Sequence, residues 1–188
     1  FWLLYYECRF SVVPLLKIAG AAAIAGKSLE EVAAIAQGFA DNMATLSVAA
    51  SGATNPSTGM EIAQVAAGCM EVGVGLHGEK GKAQPMKTAE ETVGIMLDAL
   101  LEDLNVLAGE KLLVLVSGNG ATSLMEQLIM FRSCYAHLTE KDIEIVASHV
   151  GNLMTIQEMA GVQICIARMN EELVEYWNAP CKAPYFKK

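Results

Sequence analysis

Apolar residues recur at about every third or fourth position in several stretches of the chain, which is the spacing of an amphipathic helix. Capping boxes, in which Ser or Thr precedes Glu by three residues, mark the start of three such stretches at Ser28, Thr88 and Ser123. Pro14 suits the start of an Ala-rich helix, and Asn170 suits an N-cap. The pattern predicts helices over residues 12–27, 29–40, 88–105, 123–137 and 170–177.

Shorter apolar runs lie between these helices and predict strands. The run from Leu112 to Val116 is continuous, as expected for a strand that is covered on both faces. Strands alternate with helices over residues 87–170, which indicates a layered α/β domain, and two closely spaced strands before residue 77 favour a mixed sheet. We therefore expect an α/β fold with a mixed β-sheet and helices on both faces, and strands over residues 45–50, 70–76, 112–116, 143–150 and 162–169.

The balance of charge argues against two classes of partner. The 188 residues are 53% apolar and only 18% charged, with a net charge of −8, and no cluster of Lys and Arg occurs. This composition predicts extensive internal surface and no binding to nucleic acid or to an anionic membrane surface.

Cysteine usage and the N-terminal stretch bear on the compartment. The five cysteines are odd in number and include no Cys-x-x-Cys pair, so a reducing cytosol is expected rather than a disulfide framework or a zinc site. The apolar opening at residues 1–6 is interrupted by charge before it could span a membrane, and no basic region marks it as a signal peptide. Because no initiator Met is present, a fragment of a larger protein is one interpretation.

The strongest candidate for chemistry is the end of the predicted strand at residues 70–76. His77 follows this Gly-rich strand, and Gly78 and Glu79 come next. A neutral imidazole can act as a base, nucleophile or metal ligand, and glycine allows a ligand to approach the backbone. From spacing alone, a structural histidine is the commoner case. Glu79 could orient the imidazole or hold a substrate hydroxyl, or it could be a solvated turn carboxylate beside Lys80.

Three other features have simpler interpretations. Gly118-Asn119-Gly120 lies between a strand and a helix, but Ser123 replaces the third glycine of a dinucleotide fingerprint, so a strand–helix turn is expected. His137 falls at the end of a predicted helix and is expected to be structural. His149 is either a satisfied core histidine, which we favour, or a second wall of the site.

Five ordered blocks of the sequence resemble the dihydroxyacetone kinase family. The resemblance is to the C-terminal part of the substrate-binding K subunit or domain and covers about residues 17–186. The blocks are KIAGAAA at 17–23, MEVGVGLHGE at 70–79, GNGATSLME at 118–126, VGNLMTIQEMAG at 150–161 and NAPCKAP at 178–184.

This resemblance implies a specific role for the candidate residues. In the family, the histidine matching His77 holds dihydroxyacetone covalently as a hemiaminal, and Gly78 and Glu79 are expected to bind substrate with it. Dihydroxyacetone or a related short ketose is the implied ligand. ATP or ADP and magnesium are expected on a separate L subunit or domain, with no cofactor or metal on this chain. A cytoplasmic homodimer is also implied.

The sequence departs from the family pattern in three ways. Family K subunits carry an N-terminal domain with a second histidine and an aspartate, which nothing here matches. Residues 1–16 do not follow the pattern, and Lys80 stands where Pro is usual. We therefore interpret residues 1–44 as a helical remnant of a truncated preceding domain, and residues 45–188 as the dihydroxyacetone-binding K-type domain.

Two alternatives to a kinase component remain. Some members of the family sense dihydroxyacetone and act as transcriptional coactivators without catalysis. The divergent start also allows an inactive fragment that folds poorly.

Overall fold

A computed structural model describes residues 11–75, 79–184 and 186–188. The helices in these residues are α1 (Val12–Ile24), α2 (Leu29–Ala40), α3 (Ala89–Leu104), α4 (Leu124–Glu140) and α5 (Glu171–Asn178). The strands are β1 (Met43–Ala49), β2 (Ala53–Thr54), β3 (Glu61–Ile62), β4 (Cys69–Val72), β5 (Lys82–Pro85), β6 (Lys111–Gly118), β7 (Glu144–Val150) and β8 (Gly161–Arg168).

The capping boxes predicted from the sequence are confirmed. The Ser28 hydroxyl accepts a hydrogen bond from the Glu31 backbone N–H at 3.2 Å, and the Glu31 carboxylate accepts one from the Ser28 N–H at 2.7 Å. Thr88 and Ser123 make the same reciprocal pairs at the starts of α3 and α4. Each cap satisfies N–H groups that the first helical turn leaves unpaired, typically stabilising the helix by about 1 kcal/mol.

Six of the strands form one mixed sheet in the order β5-β4-β1-β8-β6-β7. Within it only β6 and β7 run parallel, and the other neighbouring pairs are antiparallel. The expected mixed sheet is therefore confirmed. The short strands β2 and β3 form a separate two-stranded ribbon.

Helices cover both faces of the six-stranded sheet, as the sequence predicts. The side chains of β6 alternate between the faces, because successive residues of a strand point in opposite directions. Leu112, Val114 and Val116 pack with α3 and α4 in one hydrophobic cluster. Leu113 and Leu115 pack with α1, α2 and α5 in a second cluster. This two-sided burial accounts for the continuous apolar run in β6.

The region before α3 departs from the prediction. The strand predicted to reach residue 76 ends at Val72, where Gly73 adopts a positive φ of 89° and turns the chain. Strand β5 (Lys82–Pro85) then pairs with β4 at the edge of the sheet. The sequence pattern does not predict it, because its four residues include no large apolar or β-branched side chain. An edge position also tolerates Pro85, which has no N–H to donate.

The N-terminal helices share a core with the rest of the chain. Ile18 and Ala22 of α1 and Phe39 of α2 are fully or almost fully buried in the cluster that contains Leu113 and Leu115. The proposed boundary at residue 44 stays a prediction, since a segment from a preceding domain can share the core of the domain it adjoins. In the part of the chain that the structure describes, no helix has the length and apolar character required to cross a bilayer.

Candidate functional site

A cavity of about 340 Å³ lies beside the end of β4. Its floor includes Val74 and Met159, which pack together in a small hydrophobic cluster with Ala49 and Ala53. Carboxylates and a lysine are found among the more exposed lining groups. The described lining residues are Ile62, Ala63, Gln64, Glu71, Val74, Gly75, Glu79, Lys80, Ile156 and Met159.

His77 and Gly78, two of the three predicted site residues, lie outside the described residues. The residues that flank them are fixed at the cavity. The Gly75 N–H donates to the carbonyl oxygen of Glu79 at 3.0 Å, and the Gly73 N–H donates to the carbonyl of Ser47 in β1 at 2.8 Å. The two ends of the segment that contains His77 are therefore joined to each other and anchored to β1, next to the cavity.

Glu79, the third predicted site residue, is half-buried and lines the cavity. Its side chain lies so close to Gly75 that a Cβ atom on that glycine would come within 2.8 Å of the Glu79 Cβ. Gly75 is therefore required for Glu79 to occupy this position. The arrangement differs from a fully solvated turn carboxylate, and the role of Glu79 in binding a ligand stays a prediction.

Asn119 holds the part of the cavity wall at Ile156 in place. Its side-chain amide is fully buried, donates to the carbonyl of Val48 at 3.2 Å and accepts from the Gln163 side chain at 2.9 Å. Its backbone carbonyl accepts from the N–H of Ile156, a lining residue, at 2.6 Å. The predicted strand–helix turn at residues 118–120 is thus also a support for the site.

Sequence reasoning missed this role of Asn119. The signal available was an amide between two glycines directly after a buried strand, where an unpaired polar side chain would be costly. Its partners lie 37 to 72 residues away along the chain, so the sequence did not identify them.

The other two histidines lie outside this cavity. The His137 ring lies 2.9 Å from an Asp98 carboxylate oxygen and links α4 to α3, which agrees with a structural role. His149 is half-buried, and its ring centroid lies 5.2 Å from that of Phe186 near the C-terminus. Burial, followed by the nearby charge of Lys188, lowers the pKa of His149. It is not among the described residues of the cavity wall.

The side chains that most often bind metal ions are dispersed in the described part of the chain. No three His, Cys, Asp or Glu side chains among residues 11–75, 79–184 and 186–188 come together as a candidate metal site.

The sequence matches the Dak1 domain over residues 11–185. The chain belongs to the Dak1 domain family. The resemblance to dihydroxyacetone kinase K subunits, drawn above from five blocks, is therefore confirmed. The matched range includes α1 and α2 as well as the whole six-stranded sheet.

Curated relatives of this Dak1 chain include dihydroxyacetone-binding subunits and ketose kinases. It is 36% identical over 174 residues to the dihydroxyacetone-binding subunit DhaK of the PTS-dependent dihydroxyacetone kinase 2 of Listeria innocua, covering 92% of this chain and 53% of the relative. It is 33% identical to the L-erythrulose kinase of Pectobacterium atrosepticum, covering 93% of this chain and 30% of that enzyme. The Dak1 chain thus spans about half the length of the DhaK relative.

Solved structures of Dak1 relatives share the fold. The dihydroxyacetone kinase operon co-activator DhaQ superposes with a TM-score of 0.85 at 26% identity, over 90% of this chain and 53% of the co-activator. The dihydroxyacetone kinase of C. freundii, in complex with AMP-PNP and Mg²⁺, superposes with a TM-score of 0.76 at 27% identity, over 87% of this chain and 30% of the kinase. The α/β fold is that of this family.

Proposed function

We propose that this Dak1 chain is the substrate-binding component of a short-ketose kinase of the dihydroxyacetone type. In this proposal His77 holds the ketone covalently, and Gly78 and Glu79 complete the binding site. The observation that carries the proposal is the Gly75–Glu79 hydrogen bond, because it fixes both flanks of His77 at a cavity of suitable size for a small ligand. The similarity to named dihydroxyacetone-binding subunits supports the choice of ligand.

The proposed chemistry is the addition of a neutral imidazole to a ketone. A ring nitrogen donates its lone pair to the carbonyl carbon, and the carbonyl π electrons move to the oxygen. The oxygen gains a proton and the imidazole loses its N–H proton, so the adduct is a neutral hemiaminal. Because the step requires a carbonyl group, the site discriminates ketoses from glycerol.

Capture also places a terminal hydroxyl for phosphoryl transfer. A substrate held by a covalent bond has lost much of its rotational freedom, which favours in-line attack on a phosphoryl group. Glu79 lines the same cavity and is proposed to accept a hydrogen bond from a substrate hydroxyl. The acceptor is dihydroxyacetone or a larger ketose such as erythrulose, as the names of both kinds of relative suggest.

We place the nucleotide on a partner. ATP or ADP and Mg²⁺ are proposed to bind a separate L subunit or domain, with the phosphoryl group supplied by ATP or through a phosphoenolpyruvate-linked system. The relative crystallised with AMP-PNP and Mg²⁺ supports this, since this chain covers only 30% of it. Assembly as a homodimer and a cytosolic location belong to the same proposal.

A second candidate function is ligand sensing without catalysis. The structural similarity to the co-activator DhaQ, with a TM-score of 0.85, exceeds the 0.76 found for the C. freundii kinase. Such a protein would bind the ketone and pass the signal to a transcriptional regulator.

A phosphorylation assay tests the kinase proposal. The full-length protein is mixed with its cognate nucleotide-carrying subunit, and formation of dihydroxyacetone phosphate is followed for the parent, His77→Ala and His137→Ala. We expect activity in the parent and in His137→Ala, and its loss in His77→Ala. Ketone binding without phosphorylation in the parent would favour the sensor. Full activity in His77→Ala would refute the anchoring role.

A further inference from the structure

Lys80 is held at the mouth of the cavity by its two neighbours. The carbonyl of Glu79 accepts the hydrogen bond from Gly75, which fixes the residue before it. Gly81, the residue after it, packs so tightly on β4 that a Cβ atom there would lie 2.7 Å from the Val72 carbonyl oxygen. The backbone of Lys80 is therefore confined beside the cavity that its side chain helps to line.

The ammonium group of Lys80 has no competing partner in the described part of the chain. The side chain is exposed, and no carboxylate of residues 11–75, 79–184 or 186–188 forms an ion pair with it. Lys87, by contrast, pairs with Glu91 at 3.6 Å. Lys82 is exposed on β5 but is not a lining residue.

The charged residues that line the cavity are mostly acidic, and Lys80 opposes them. Among the described lining residues, Glu71 and Glu79 carry negative charge and Lys80 alone carries positive charge. A phosphate monoester, with a charge of about −1.5 to −2 at neutral pH, would meet two carboxylates here. Lys80 is the described lining group that can offset this repulsion, and a lysine binds phosphate as a compact point charge.

We propose that Lys80 is a specificity-determining residue that holds the phosphate group of a phosphorylated ketose at the mouth of this cavity. The inference rests on the proposed function and extends it from the neutral substrate to the anionic product. The inference also predicts that the phosphorylated ketose competes with the neutral ketose for the site. This competition should weaken as ionic strength rises.

Direct binding measurements test the inference. Dissociation constants for dihydroxyacetone and for dihydroxyacetone phosphate are measured by calorimetry or NMR titration on the parent, Lys80→Met, Lys80→Arg and Lys82→Met. We expect Lys80→Met to weaken phosphate-ester binding by about three- to tenfold, the effect of one nearby charge in a partly solvated site. Lys80→Arg keeps the charge and Lys82→Met removes one outside the cavity, so both should remain within about twofold of the parent.

Binding of the neutral ketone distinguishes failure of the Lys80 inference from failure of the proposed function. Dihydroxyacetone should bind all four proteins equally. Raising the salt concentration from about 0.05 to about 0.5 M should weaken binding of the phosphate ester. The loss of affinity should be larger for the parent than for Lys80→Met, because added ions screen exposed charges. If the ketone binds and Lys80→Met leaves the affinity for the phosphate ester unchanged, the inference is wrong and the proposed function stands. If the parent binds neither ligand, both fail.

Discussion

The backbone N–H of Gly75 donates a hydrogen bond to the carbonyl oxygen of Glu79 across a distance of 3.0 Å. Two residues that are four positions apart are thereby brought together at the cavity beside β4. The same contact leaves no space for a side chain at Gly75, because Glu79 folds against it. This hydrogen bond is the structural basis of the proposal that His77 holds a ketone covalently.

Substitution of Gly75 by Ala should weaken ketone binding by at least about tenfold. The new methyl group would overlap the Glu79 side chain, so that the segment on either side of His77 must shift, and displacement of a reacting group by about 1 Å can cost a factor of 100. The measurement is the dissociation constant for dihydroxyacetone. Gly38→Ala in α2 is the matched control, because a Cβ there meets nothing within 4 Å. Unaltered binding in Gly75→Ala would contradict the account.

Replacement of Asn119 by Ala should destabilise the fold by about 2–4 kcal/mol. The change removes the hydrogen bonds that the Asn119 amide makes to the Val48 carbonyl and to the Gln163 side chain, each worth about 1 kcal/mol, and leaves a cavity where the buried amide stood. Urea unfolding followed by circular dichroism measures the loss. A destabilisation below about 1 kcal/mol would show that the network adjusts without the amide.

The Arg168–Glu110 pair should make stability depend on pH. The Arg168 guanidinium donates to the Glu110 carboxylate and also to the carbonyls of Leu104 and Asn105 at the end of α3. The hydrogen bond from Arg168 holds the pKa of Glu110 below its usual value, against the opposing effect of burial. A carboxylate with a lowered folded-state pKa stabilises the fold above its unfolded-state pKa of about 4.3, and this contribution is lost as the pH falls through the folded-state value.

Glu110→Gln tests that contribution. At pH 7 the variant should be less stable than the parent by about 1–3 kcal/mol, since it leaves a partly buried guanidinium without its carboxylate. The difference should shrink as the pH is lowered from 5 to 3, because the parent carboxylate becomes protonated. Urea unfolding of both proteins across this range gives the comparison. A difference that is constant with pH would show that the charge of Glu110 contributes nothing.

The Cys134 thiol should be inert in the folded protein. Burial raises its pKa to about 12, so it carries almost no thiolate at neutral pH, and reagents do not reach it. Cys69 and Cys181 are partly exposed and should react before it. Labelling with a thiol-specific reagent at pH 8, with the modified residues located by mass spectrometry, checks both statements. Rapid modification of Cys134 before unfolding would contradict the packing of α4.

Much of the fold followed from local patterns. The capping boxes at Ser28, Thr88 and Ser123 identified the starts of three helices, because a cap depends only on neighbours within one turn. The apolar run of β6 indicated a strand buried on both faces. These features depend on residues close together in the chain, and the structure confirms them.

The features that the sequence did not predict depend on residues that are far apart along the chain. Strand β5 has no large apolar or β-branched residue that would predict a strand, and it is identified by its pairing with β4. The support that Asn119 gives the cavity wall also comes from residues far along the chain. The candidate site rests on the family resemblance at residues 70–79, because from spacing alone a histidine in the position of His77 is more commonly structural.

The covalent capture of a ketone is the central claim, and carbon-13 NMR tests it most directly. Dihydroxyacetone labelled at C2 is added to the parent, to His77→Ala and to His137→Ala, and each spectrum is compared with that of the free ketone and its hydrate. We predict a new protein-bound tetrahedral-carbon signal, at the expense of the ketone signal, in the parent and in His137→Ala but not in His77→Ala. Spectra that show only free ketone and hydrate with all three proteins would contradict the account.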